Sequence, residues 1–294
     1  MSDTETFEQL TMPYFGDVAR FARSLARDAA RADDLVQESY LQALRGWHTF
    51  RAGADVRRWL LTICHNTFLR TIRREAFYVD APDDDPQLES LATAIAHSRA
   101  LQNGAAELLD RIDLAPAIEH ALATLPAYFR GAVVLVDVEG QSYEEAALVL
   151  GVVVGTVRSR LYRGRRLLQD LLFEYALDAG FASARAARSP TPELDMTRAR
   201  DPGLAPPAPI DCETSVKRLW DYLDERLPDM SRDEVEWHLA ACEVCPPHFT
   251  FARTMQTALG ASPSPRGPHA DDVKLRARVR DALGKLGADA AHGS

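Results

Sequence analysis

The sequence predicts an all-α protein assembled from separate helical blocks. Three observations carry this. Apolar residues recur at three- and four-residue spacing through most of the chain. A capping box opens a helix, a tight turn and a second helix between Gln141 and Leu168. No segment shows the strict two-residue alternation of a half-buried strand, and no internal repeat stands out.

Taken in order, residues 7–77 form the first block. Leu10, Tyr14, Val18, Phe21, Ala22 and Leu25 lie at helical spacing. A second helix is expected over about Arg31–Trp47 and a third over about Asp55–Arg74. Val79–Asp85, followed by Pro86, breaks the pattern, and residues 78–112 read as an acidic linker. Residues 113–175 form the second block. Pro190, Pro192, Pro202, Pro206, Pro207 and Pro209 mark residues 176–210 as an expected disordered tether. A third block spans 211–260. Pro263, Pro265 and Pro268 then lead into a last amphipathic helix within 268–288, with Val273, Leu275, Val279, Leu283 and Leu286 on its apolar side.

The second block holds the sharpest local pattern. Ser142 and Glu145 form the capping box, and Tyr143, Ala146, Ala147 and Leu150 continue the helix. Gly151 stands where a left-handed helix end belongs. The second helix starts near Val154 and buries Val157, Leu161 and Leu168. Its outer positions are read as Arg158, Arg160, Arg163, Arg165 and Arg166, with no acid before Asp170. A helix-turn-helix places such a helix in the DNA major groove.

The 294 residues suffice for two or three domains. No run of eighteen apolar residues and no basic-then-apolar start is present, so neither a membrane span nor a signal peptide is expected. The expected location is the cytoplasm. The net charge of −9 is unusual for a DNA binder, but arginines concentrate in two helices. Local basic patches on an acidic chain bind free DNA weakly, which suggests reliance on a larger partner. No nucleophile elbow, phosphate loop or HExxH motif occurs, so an enzyme is not expected.

Four cysteines are too few for a disulfide scaffold. His238 and Cys242 share a helix face, Cys245 follows at knuckle spacing, and Cys212 is the candidate fourth ligand. A Cys₃His set suits tetrahedral Zn²⁺ and leaves no open position for a catalytic water. His248 is a spare donor nearby, and Cys64 reads as core.

The string DDLVQESYLQALRGWHTFRAGADVRRWLLTICHNTFLRTIRR resembles region 2 of an extracytoplasmic-function sigma factor, and VVGTVRSRLYRGRRLL resembles the end of region 4. The string CETSVKRLWDYLDERLPDMSRDEVEWHLAACEVC is similar to the zinc-binding anti-sigma domain. The resemblance implies two helical sigma domains joined by a linker, plus a small helical zinc-binding domain. It implies core RNA polymerase and promoter DNA as partners, with Asp33, Asp34, Gln37 and Glu38 docking on the polymerase. Phe50, Arg51, Arg57 and Asn66 would capture the −10 element, with Arg70, Arg73 and Arg74 on phosphates. Thr156, Arg158, Ser159, Arg160, Tyr162 and Arg163 would read the −35 element. An intramolecular contact between the zinc-binding block and the sigma blocks is expected. Whether it inhibits or activates, and whether zinc is structural or sensory, stays open at this level. The rival reading is a helix-turn-helix regulator without sigma activity, carrying structural zinc.

Overall fold

The computed structural model describes residues 3–26, 28–51, 53–75, 114–178, 207–261 and 270–292. The expected linker, most of the proline-rich tether and Pro263–Pro268 lie outside these residues. Every regular element among the described residues is helical.

The helices are α1 (Asp3–Thr11), α2 (Phe15–Leu25), α3 (Ala29–Arg45), α4 (Val56–Glu75), α5 (Leu114–Thr124), α6 (Ala127–Val133), α7 (Tyr143–Leu150) and α8 (Val154–Asp178). They continue with α9 (Cys212–Lys217), α10 (Leu219–Leu223), α11 (Asp229–Ala241), α12 (Cys245–Ala261) and α13 (Ala270–His292). The described residues fall into two compact units, and each stands by itself. One takes those within Met1–Ala81, Glu119–Arg165 and Gly260–Ser294, and the other those within Pro82–Ile118 and Arg166–Leu259.

In the first unit, α2, α3 and α4 pack on one another around Phe7, Val18, Phe21, Leu25, Tyr40 and Leu60, all at most 1% exposed. The apolar stripe expected over Leu10–Leu25 does not run through one helix. Pro13 sits in a 3₁₀ turn, Met12–Tyr14, between α1 and α2. Proline has no N–H to donate, so it opens a new helical segment more readily than it continues an old one. The interruption turns Leu10 outward, at 46% exposed. Cys64 is fully buried, as its core reading required, and burial pushes its thiol up to about 12, with the nearby Ser39 side chain acting to lower it.

On the far side of α4 sit α6 and α7. The Ser142 hydroxyl accepts from Glu145 N–H at 3.1 Å, and the Glu145 carboxylate accepts from Ser142 N–H at 2.9 Å. The capping box therefore forms in full, and Gly151 ends α7 at φ 65°. Helix α6 runs into a π turn, Val134–Val138. That turn carries Asp137 inward onto Arg165, whose Nε and Nη2 donate to the carboxylate at 3.0 and 2.6 Å. Arg165 is only 1% exposed, so it is not part of the outer arginine face. The 3.6-residue period placed it outside, and the buried acid arriving from another element draws it in.

Helix α13 closes the first unit by lying across α3, with further contacts to α1 and α2. Leu275, Val279 and Leu283 face inward, at 2% exposed or less. Val273, expected on the same side, is 72% exposed. It stands two residues before Leu275 and six before Val279, off the three- and four-residue stripe that those positions define.

In the second unit, α9 to α12 build a small core of Val216, Leu219, Trp220, Val235, Leu239 and Phe249. Phe251 of α12 meets Phe173, from the C-terminal half of α8, edge to face at 6.5 Å.

Candidate functional sites

Cys212, His238, Cys242 and Cys245 bring their ligand atoms within 4.8 Å of one another. Local sequence explains the gathering. Asp211 caps α9 through Thr214 N–H and fixes Cys212 on its first turn. His238 occupies the last turn of α11, Cys242 ends that helix, and Cys245 begins α12. The Cys212 and Cys242 sulfurs are 3.7 Å apart, and His238 Nε2 is 3.3 Å from Cys245 Sγ. Two thiolates on one tetrahedral zinc, each at about 2.3 Å, would stand about 3.8 Å apart. His238 Nδ1 lies 2.9 Å from the Ile210 carbonyl, a bond that fixes this nitrogen as the protonated one and leaves Nε2 as donor atom toward the thiols. The donor set therefore fits zinc. His248 is buried but is not one of the four clustered residues.

The three thiols are not alike. Burial raises Cys212 and Cys245, and the neighbouring Cys242 sulfur adds to the rise in both. Cys242 is held low even though burial acts to raise it, because the backbone N–H groups of Cys245 and Val244 favour its thiolate. The Val244 amide donates to Cys242 Sγ at 3.4 Å.

The acidic start of α3 carries the expected polymerase-binding group. Arg278 of α13 donates to Asp33 at 3.3 Å and reaches Gln37 at 3.5 Å. Glu38 instead accepts from Gln42 at 2.6 Å. Asp34 and Glu38 border a cleft of about 380 Å³ floored by Leu35, Phe68 and Ile72. Sequence reading treated the four as one surface. The fold splits them, with Asp33 and Gln37 under α13 and Asp34 and Glu38 on the open cleft.

The expected −10 residues are divided as well. Phe50 stacks on Trp47, with centroids 5.0 Å apart and planes 7° apart, and tilts against Trp59 at 5.0 Å. Arg51, Asn66, Arg70 and Arg74 are exposed. Arg57 pairs with Asp17 at 3.3 Å and with Glu139 at 3.9 Å. Arg73 donates to the Tyr128 hydroxyl at 2.7 Å. On the helix-turn-helix, Arg158 and Ser159 are exposed, while Thr156, Tyr162 and Arg163 are partly covered. Arg160 stacks over the Tyr128 ring at 4.9 Å. Sequence reading missed Tyr128, Glu139 and Arg278, which lie outside every motif it used.

Comparison with known proteins bears on this architecture. The Sigma-70 region 2 family matches residues 10–78, and the Sigma-70, region 4 family matches residues 116–168. The ECF RNA polymerase sigma factor SigM of Mycobacterium tuberculosis is 35% identical over 170 residues, covering 58% of this chain and 79% of SigM. The chain belongs to the extracytoplasmic-function RNA polymerase sigma factors. SigE of Mycolicibacterium smegmatis is 37% identical over 180 residues, and the match covers 58% of this chain but only 63% of that relative. A solved structure of the sigma factor RpoE in complex with the anti-sigma factor NepR, from Bartonella quintana, is 28% identical at a TM-score of 0.41 and covers 57% of this chain and 97% of that one. Residues 212–245 match a zinc-finger family, over the same stretch that gathers the Cys₃His cluster. The matched relatives are RNA polymerase sigma factors, and no described helix is long and apolar enough to cross a membrane.

Proposed function

We propose that this sigma factor binds core RNA polymerase, directs it to promoter DNA, and is restrained in cis by its own C-terminal region. The observation that carries the restraint is the seat of α13. Its Arg278 holds Asp33 and Gln37, two of the four residues assigned to the polymerase. Arg276 adds a bond to the Met12 carbonyl at 3.2 Å, and Arg280 pairs with Glu8 at 3.7 Å. Arg23 joins Asp272, which is 7% exposed. An apolar stripe bordered by basic residues against an acidic helix gives an orientation-specific seat, and polymerase would have to displace it.

In this reading residues 7–77 and 113–175 are the two sigma domains, and Zn²⁺ is structural within 211–260. Its four ligands tie together the ends of α9, α11 and α12, a closed set of the kind that stabilises small domains. Run-off transcription with core polymerase tests the restraint, comparing the full chain with a chain ending at Ala261. Stronger initiation by the shortened chain is expected. Equal initiation by both, or initiation by the full chain alone, would rule out inhibition by α13.

A further inference from the structure

Helix α8 outlasts the DNA-reading segment expected of it. The region 4 family match ends at residue 168, and α8 runs on to Asp178. By its own sequence this extension is a poor helix end. After Arg166 it carries Asp170, Glu174 and Asp178 and no base, so its charges oppose the negative pole of the helix dipole. Most helical stability comes from packing of an apolar face rather than from propensity, and an unpacked end frays. Here the packing is present. Gln169 is fully buried and Leu172 is 3% exposed, so the extension is covered. Its described residues fall in the same compact unit as the zinc-binding block. Phe173 meets Phe251 of α12 edge to face, with centroids 6.5 Å and planes 75° apart.

Phe251 ties this contact to the metal ligands. Phe251, Met255 and Leu259 follow at four-residue steps on one buried face of α12, each at most 3% exposed. Cys245 begins the same helix. Six residues, about 9 Å of helix axis, separate the ligand from the aromatic contact. On the same helix, Phe249 meets Tyr222 of α10 edge to face at 5.8 Å. A block this small depends on its metal as a staple. Without it the ends of α9, α11 and α12 lose their common anchor, and the face that carries Phe251 loses its fixed position.

We propose that residues 169–178 of α8 are the docking surface of the zinc-binding block, so that metal at Cys212, His238, Cys242 and Cys245 holds the C-terminal half of the expected −35 helix in order. The role of the metal then reaches beyond 211–260. This rests on the zinc reading, and neither on the seat of α13 nor on sigma activity. The metal state is passed to the DNA-reading helix through that helix's own continuation, without the block having to cover the arginine face.

Hydrogen–deuterium exchange of the full chain, read by mass spectrometry on peptides from α8, tests the docking. With one zinc per chain, residues 169–178 should exchange slowly. Stripping the metal with EDTA should speed their exchange about tenfold, while residues 15–75 keep their protection. Phe173→Ala separates contact from metal, because it removes the ring from the extension and leaves all four ligands. With zinc in excess it should keep one zinc per chain and a protected 212–245, yet exchange about tenfold faster over 169–178. Weaker zinc binding by Phe173→Ala would also support docking, since coupling between two sites is reciprocal. Unchanged exchange over 169–178 once zinc is gone and 212–245 has opened would overturn it. So would unchanged exchange over 169–178 in Phe173→Ala. If the wild type binds no zinc at all, the zinc reading has failed, and Phe173→Ala still decides whether the block docks on α8.

Discussion

Arg278 donates to Asp33 across 245 residues of chain, so an acid of the third helix is held by a base of the last one. Both side chains keep contact with water, at 53% and 33% exposure. The pair itself is therefore weak, and its importance lies in its position. Arg278→Glu should tighten binding to core polymerase by about fivefold or less, the scale of a surface ion pair. Titration of labelled full-length chain with core polymerase measures it, and unchanged or weaker binding would show that Arg278 does not guard Asp33.

Asp137 and Arg165 are the opposite case, a bidentate pair with side chains 2% and 1% exposed. Removing one partner leaves an uncompensated buried charge. Asp137→Ala should cost about 3–5 kcal/mol of stability by urea denaturation. The double variant Asp137→Leu, Arg165→Met should recover much of that loss, because it leaves no stranded charge.

His65 gives the first unit an acid limit. Burial, and secondarily the charge on Arg160, lowers its pKa to about 4. The unfolded chain titrates near 6.5 and so binds the proton first as pH falls. Its contribution is fully present above about pH 6.5 and is lost as pH falls toward 4, on the order of 3 kcal/mol in all. Denaturation midpoints at pH 7, 5.5 and 4.5 should fall for the wild type. They should flatten over this range for His65→Leu; an equal slope in both would place the titration elsewhere.

Cys242→Ser should abolish stoichiometric zinc and unfold α9 to α12, while α1 to α7 persist. Metal analysis with far-ultraviolet circular dichroism reads both effects. Retained zinc at one per chain would remove Cys242 from the ligand set.

What could be read in advance follows the range over which each signal acts. The capping box, Gly151 and the His238–Cys242–Cys245 spacing are fixed within a few residues of chain, so the sequence displays them directly. Cys212 needed the fold to bring it 30 residues back, yet thiols are rare enough to nominate it. Arg165 was misplaced because helical periodicity records spacing and is blind to a buried acid on another element. Phe50 reads as a base contact in its string, but Trp47 and Trp59 reach it only once the turn at Trp47–Thr49 is closed. The contacts of Glu139 and Arg278 were illegible for the same reason, since each meets a partner more than a hundred residues away.

The π turn at Val134–Val138 has one more consequence. A π turn accommodates one residue more than a regular helix in the same path. Asp137 lies inside it and Glu139 just after it, so both depend on that surplus residue for their aim. Deleting one residue there would return the segment to ordinary helical winding and swing both carboxylates by about 100°, one step of a 3.6-residue turn. One would leave Arg165 and the other would leave Arg20 and Arg57. Segment length, more than the identity of Val134, Val136 or Val138, is what this stretch must preserve.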